Sequence, residues 1–191
     1  MRKWKRVDTA EGPRFVSAME IHEAALLRTM ATSMLEMLRE RQTAAPSDPL
    51  EQITGIRTGH SVPPDDATMR RLLPDFVHAD AVGQEGEDFS NSALRSLHEP
   101  KIIDGKIAAA QQLLQTLPEE GGRLELTTDD AEAWIAAVND IRLALGTMLG
   151  IGPDAPDRLP PGHPMAGHLD VYQWLTVLQE YLVIGLMGKA R

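Results

Sequence analysis

The sequence has 191 residues, no cysteine and a formal net charge of −9, with 42% hydrophobic and 25% charged residues. This length and composition are typical of one globular domain and exclude a wholly disordered chain. The lack of cysteine excludes disulfides, thiolate metal sites and thiol redox switches within these residues. No apolar run approaches the roughly 18 residues of a membrane-spanning helix, and the basic start lacks the apolar segment of a secretory signal, so we expect a cytoplasmic protein that does not enter the membrane.

The first half of the chain predicts a hairpin, one long helix and a loose segment. Residues 4–8 and 14–18 flank a Gly-Pro turn, which indicates a short β-hairpin. Apolar residues then recur every three or four positions over residues 20–42, as in an amphipathic helix. Residues 43–88 are rich in Pro, Gly and Asp, and we expect them to form a loose segment within a single domain, 1–191. It contains short helical stretches after Asp48 and over 65–73, and a mobile acidic stretch over 80–88.

The second half predicts a series of helices. We expect helices over 89–98 and 101–117 with a bend at Pro100, because proline suits the first turn of a helix better than its interior. An extended piece follows over 123–126. Thr127 and Asp130 have the spacing of a capping box and open a helix over 129–149, and a last helix covers 169–187. The predicted fold is therefore mainly α, a helical bundle with a small N-terminal β-hairpin.

The run WIAAVNDIRLALGTML at residues 134–149 resembles the signature of the actinobacterial family DUF2017, a domain of unknown function. The segments RLLPD at 71–75, LRSLHE at 94–99 followed by Lys106, and YQWLTVLQE at 172–180 resemble further segments of that family. Some members are labelled transcriptional regulators, and no catalytic site is assigned. The resemblance thus implies a regulator of transcription.

The candidate interaction residues lie on the predicted central helix. Asn139, Arg142 and Gly146 are spaced i, i+3 and i+7, so they share one side of it. They can form a polar notch in which Gly146 admits a close backbone while Asn139 and Arg142 bind a ligand or a partner carboxylate. The favoured interpretation is a buried network in which Arg142 pairs with an acidic residue of its own chain and Asn139 binds a loop carbonyl, because buried polar groups must be satisfied whatever the function.

Arg95 is the fourth candidate. It stands where the family has paired arginines, of which Ser96 replaces the second. The resemblance makes Arg95 a candidate for binding phosphate or an acidic partner.

No pattern indicates catalysis or a cofactor. The sequence lacks a Ser-His-Asp order, a phosphate-binding loop and a dinucleotide fingerprint. His163, His168 and Asp170 could be imagined around a metal, but their loop spacing does not fix a tetrahedral geometry. We therefore predict no catalytic, cofactor-binding or metal-binding residues.

The predicted function is that of a non-enzymatic regulator acting through protein contacts with the transcription machinery. A homodimer through the face of the last helix that carries Trp174 and Tyr181 is also considered. One alternative is a regulator that binds DNA directly. The acidic body and the absence of a helix with a basic, base-reading face argue against it. Another alternative is an enzyme or ligand-binding protein with an unrecognised pocket.

Overall fold

The computed structural model describes residues 4–45, 55, 57–77, 84–151 and 163–188. Within these ranges the chain is mainly α-helical with a small antiparallel sheet, which confirms the predicted fold class. In chain order the elements are β1 (Lys5–Thr9), β2 (Gly12–Met19), α1 (Ile21–Thr43), α2 (Ala67–Leu72), α3 (Gln84–Thr116), β3 (Gly122–Leu126), α4 (Thr128–Met148) and α5 (Ala166–Leu186).

The sheet extends the predicted hairpin by one strand. Strands β1 and β2 pair antiparallel, as predicted, and β3 adds to the other edge of β2 with Phe15 opposite Leu126. Phe15, Ser17 and Met19 alternate inward along β2 and are buried. The extended piece over 123–126 was predicted, but its partner was not, because the register between distant segments leaves no local trace in the sequence.

Helix α4 lies at the centre of the core. Trp134, Ala137 and Val138 are fully buried, and the helix packs against both α3 and α5. Thr127 and Asp130 form the predicted capping box, so the start of α4 is fixed locally. The indole N–H of Trp134 donates a 2.7 Å hydrogen bond to the hydroxyl of Thr116, which joins α4 to the end of α3.

One expectation for α3 is wrong. The structure has a single helix from Gln84 to Thr116, with Pro100 inside it, instead of two helices that begin at 89 and 101. Pro100 does not end the helix. It has no N–H to donate to the carbonyl of Ser96, and the backbone N–H of Gly59, in the loop before α2, donates to that carbonyl instead. Residues 84–88, predicted to be mobile, form the first turns of this helix.

The remaining predicted helices are confirmed in place, although α5 begins at 166 and not at 169. The helical stretch predicted after Asp48 and residues 80–83 of the predicted mobile stretch lie outside the described residues. In the parts of the chain that the structure describes, no helix combines the length and apolar character needed to cross a membrane.

Candidate functional site

A buried ion cluster lies where α3 meets the end of α1 and the segment after α2. The guanidinium of Arg95, only 1% exposed, donates to Glu99 at 2.6 Å and to Asp75 at 2.7 Å. Arg41 of α1 donates through Nε to the other oxygen of Glu99 at 2.9 Å. We call these four residues the Arg95 cluster. It balances two cations with two carboxylates, as burial requires.

Arg95 also holds the turn that follows α2. Its two terminal nitrogens donate to the backbone carbonyls of Leu73, at 3.2 Å, and Pro74, at 3.3 Å. Contacts within the chain thus engage both terminal nitrogens of the guanidinium. An external phosphate would have to displace Asp75 or Glu99 to reach them, so the geometry favours a clamp over a phosphate site.

The same arrangement leaves a cavity of about 100 Å³ beside the cluster. Arg95 and Glu99 line its inner wall, and Leu73, Phe76 and Ile102 supply apolar walls. The side chains of Phe76 and Ile102 are exposed, so they mark its outer rim.

Asn139, Arg142 and Gly146 do share one side of α4, and the ring of Tyr172 from α5 lies against it. A Cβ at Gly146 would lie 3.2 Å from Cε2 of Tyr172, so Gly146 makes room for that ring and not for a backbone. The Arg142 guanidinium lies 5.9 Å from the centre of the same ring and donates to Oδ1 of Asn139 at 3.2 Å.

Arg142 keeps unused hydrogen-bonding capacity. Its Nε is buried without an acceptor, and the ion pairs found among the described residues do not include it. Arg142 is half-buried. The arrangement therefore matches neither reading of the sequence fully: the side chains bond to each other and to Tyr172, without an acidic partner.

A third contact joins α3 to α4. The ammonium of Lys106 lies 2.7 Å from Oδ1 of Asp140, which is buried. Burial raises the pKa of the Asp140 carboxyl above its ordinary 3.8, although the charge and hydrogen bond of Lys106 oppose that shift. The ion pair links α3 to α4, so the role of Asp140 is structural.

The four segments that resemble DUF2017 segments therefore meet in space. Asp75 binds Arg95, Lys106 binds Asp140, and Arg142 and Gly146 lie against Tyr172. Sequence reasoning singled out Arg95 but missed Glu99 and Arg41. The i, i+4 spacing of Arg95 and Glu99 was an available signal, whereas Arg41 lies 58 residues from Glu99 and gave none.

Metal-binding geometry is absent from the described ranges, in which no three His, Asp or Glu side chains gather closely enough to hold an ion. His163 instead accepts a hydrogen bond from the backbone N–H of Met165 at 3.2 Å through Nδ1.

Comparison with known proteins gives a family and close relatives. The DUF2017 domain of unknown function matches residues 1–186. The chain is 60% identical to the oxidative stress regulator AosR of Mycobacterium tuberculosis and to that of Mycobacterium bovis, over 99% of this chain and 89% of each relative. It is 58% identical to the putative oxidative stress regulator AosR of Mycobacterium leprae, over 98% of this chain and 89% of the relative. No solved structure matches the chain.

Proposed function

The chain belongs to the DUF2017 family, and from its relatives we infer that it is a regulatory protein of the oxidative stress response that acts by contacting a protein of the transcription machinery. The observation that carries this proposal is the 60% identity, over 99% of the chain, to proteins named oxidative stress regulators. The name supports the regulatory role, and the contact with another protein is argued from the surface.

The outer side of α5 offers an apolar surface. Leu175, Leu178 and Leu182 face the core. Val177, Ile184 and Met187 are exposed, and their spacing of seven and three residues places them along one side. We call these three residues the α5 stripe.

The α5 stripe favours a protein partner over DNA. Apolar side chains grouped on a surface are typical of protein contacts, whereas a phosphate backbone needs lysine and arginine. The net charge of −9 adds repulsion toward DNA. A protein that binds here would bury the stripe against apolar side chains of its own.

The absence of cysteine limits how such a regulator responds to oxidants. None of the 191 residues can form a thiolate, a sulfenic acid or a disulfide. The proposed regulator therefore passes on an oxidative signal without a thiol switch in this chain. The thiol chemistry, where the response uses it, belongs to a partner.

The test is affinity capture from a nuclease-treated lysate of an actinobacterial host, with cross-linking and mass spectrometry. Three proteins are compared: the unchanged chain, the double variant Val177→Lys/Ile184→Lys, and the control Val62→Lys, which changes an exposed valine away from α5. We expect RNA polymerase or a sigma factor with the unchanged chain and the control, and its loss with the double variant.

Three results would overturn parts of the proposal. Recovery of the chain alone would remove the protein partner. Equal recovery with the double variant would remove the α5 stripe as the contact. Binding to a labelled promoter fragment that weakens steeply with salt would favour the alternative of direct DNA binding. Sedimentation of the same three proteins tests whether the stripe pairs with a second copy of the chain. If it does, the unchanged chain and the control sediment as dimers and the double variant sediments as a monomer.

A further inference from the structure

Strand β1 forms one side of the sheet, and its outer edge is open. The strand order is β1-β2-β3, so β2 is the strand that pairs with β1 within the described residues. All the residues of β1, Lys5–Thr9, are exposed. In the part of the chain that the structure describes, no helix or loop forms a backbone hydrogen bond with this edge. Such an edge presents N–H and C=O groups that can pair with a further strand.

Pro13 shows which backbone groups of β1 point to the open edge. It lies opposite Asp8 and has no N–H, so these two residues cannot form a hydrogen-bonded pair. Hydrogen-bonded and non-hydrogen-bonded pairs alternate along antiparallel strands, so Arg6, which lies opposite Phe15, is also in a non-hydrogen-bonded pair. The backbone N–H and C=O groups of Arg6 and Asp8 therefore point away from β2 and toward the open edge.

The sequence of β1 is complementary to itself when two copies run antiparallel. Residues whose backbone groups point outward must face each other across the new pairing, so Arg6 and Asp8 meet Arg6 or Asp8 of the second copy. Arg6 opposite Arg6, or Asp8 opposite Asp8, would set like charges against each other and destabilise the pairing. Arg6 opposite Asp8 places opposite charges together at both ends and pairs β1 along its full length.

This register also matches the side chains on both faces of the strand. Arg6 and Asp8 share one face, on which Nε of Arg6 lies 3.1 Å from Oδ1 of Asp8 within the chain. Val7, 45% exposed, lies on the other face and would be opposite Val7 of the second copy. Charged side chains usually keep open edges apart. Here the two-fold symmetry brings opposite charges together, so the same side chains attract a second copy.

We propose that β1 binds β1 of a second copy of this chain, antiparallel and centred on Val7, so that two sheets join into one. Backbone hydrogen bonds between Arg6 and Asp8 hold the two strands, and the charges of these side chains fix the register. The interface is self-complementary, as a two-fold dimer requires. It does not include the α5 stripe and does not depend on the proposed regulatory role.

The first test is analytical ultracentrifugation of the full chain with reversed charges. Asp8→Arg sets cations against each other across the pairing, and Arg6→Asp does the same with carboxylates. We expect each variant to weaken self-association by about tenfold or more. The control is Asp65→Arg, which makes the same change of charge at an exposed position outside the sheet and should leave the dimer intact.

Mixing the two charge variants separates the pairing from a folding defect. In an equimolar mixture of Asp8→Arg and Arg6→Asp, each cation of one chain faces a carboxylate of the other. We expect the mixture to form a heterodimer although each variant alone is largely monomeric. The double variant Arg6→Asp/Asp8→Arg exchanges the two charges within one chain, so it should dimerise like the unchanged protein.

The second test reads the register by cross-linking. The chain has no cysteine, so an introduced thiol can link only to the same position of a second copy. Val7→Cys would bring two Cα atoms to about 4.5 Å, within the range of about 4.4–6.8 Å that a disulfide spans. Lys5→Cys would lie roughly 13 Å from its own copy, at 3.4 Å per residue. With oxidised glutathione we expect Val7→Cys to form linked dimers and Lys5→Cys to remain unlinked.

Three outcomes would overturn the proposal. The unchanged chain could remain monomeric at millimolar concentration, the mixture of charge variants could associate no better than either variant alone, or Lys5→Cys could link as readily as Val7→Cys. A dimer that is lost in Val177→Lys/Ile184→Lys and kept in Asp8→Arg would likewise contradict it and assign the dimer to the α5 stripe.

Discussion

The backbone N–H of Gly59 donates a 2.8 Å hydrogen bond to the carbonyl of Ser96. In a regular helix that carbonyl accepts from the residue four positions later, which here is Pro100 and has no N–H. Helix α3 runs through its proline because a segment 37 residues earlier than Ser96 supplies the missing donor. The close approach requires a residue without a side chain at position 59.

We expect Gly59→Ala to destabilise the protein. A Cβ at this position would lie 2.9 Å from Cγ of Pro100, a rigid ring atom, so the segment must move and its hydrogen bond to Ser96 weakens. Overpacking of this kind costs about 1–3 kcal/mol of unfolding free energy. Urea unfolding followed by circular dichroism measures the loss.

Gly105→Ala in the same helix is the matched control. Nothing lies within 4 Å of a Cβ there, and alanine is favoured over glycine inside a helix by about 1 kcal/mol. The two substitutions should therefore shift the unfolding midpoint in opposite directions. A stabilising Gly59→Ala would show that the loop does not pack on Pro100.

We expect Glu99→Gln to cause a larger loss than any surface charge change. It leaves Arg41 and Arg95 with only the partly exposed Asp75 to balance two cations. Removing one partner of a buried ion pair costs about 3–5 kcal/mol. Chemical denaturation gives the change in unfolding free energy.

Asp104→Asn is the matched control, because it removes the carboxylate of an exposed ion pair instead of a buried one. Asp104 pairs with Arg57 on the outside of α3, and both side chains are about half exposed. An exposed pair contributes about 0–1 kcal/mol. Equal losses for Glu99→Gln and Asp104→Asn would mean that the Arg95 cluster is hydrated in solution.

The elements that depend on local signals could be predicted from the sequence. Helices α1 and α4 were placed within two residues because apolar spacing and a capping box at Thr127 fix their register and start. The pairing of β3 with β2 and the continuity of α3 depend on partners far along the chain, so no local pattern revealed them.

The candidate site shows the same division. That Asn139, Arg142 and Gly146 share one side of α4 follows from helix geometry alone, and it was predicted. The ring of Tyr172, which packs against that side, belongs to α5, and this contact was not predicted. Arg95 was chosen because of a family resemblance, but its burial and its clamp on the turn after α2 required the tertiary structure.

Asp140 and Asp130 of α4 should contribute slopes of opposite sign to the dependence of the unfolding free energy on pH. Burial raises the pKa of Asp140, so between its ordinary 3.8 and its folded pKa the folded state binds more protons than the unfolded one. Stability then falls as the pH rises through that window. Relative to Asp140→Asn, the unchanged protein should therefore lose stability as the pH rises from about 3.8.

Asp130 should behave in the opposite way. Its burial alone would raise the pKa, but hydrogen bonds from Thr127 and Gln112 outweigh burial and lower it. Its contribution is present above 3.8 and is lost as the pH falls through the folded pKa. Relative to Asp130→Asn, the unchanged protein should lose stability on acidification below about 3.8. Urea titrations of all three proteins between pH 2 and 7 measure both slopes, and slopes of the same sign would contradict the assignment.

Oxidation should reach the exposed methionines first. Met148 is 71% and Met187 64% exposed, whereas Met34 and Met69 are buried. Hydrogen peroxide transfers one oxygen atom to a thioether and leaves water, so each sulfoxide adds about 16 Da. In the folded protein we expect mass spectrometry of peptides to show Met148 and Met187 oxidised well before Met34 and Met69.

Unfolding supplies the control for this prediction. In urea all the methionines become accessible, so the difference in rate between Met148 and Met34 should disappear. Met148→Leu keeps a similar volume and should remove one oxidation site without changing the rate at Met187.

If Met34 or Met69 reacts as fast as Met148 in the folded protein, the core around α1 and α2 opens more often than its packing indicates. Because the chain has no thiol to compete for peroxide, the reaction reports methionine exposure directly.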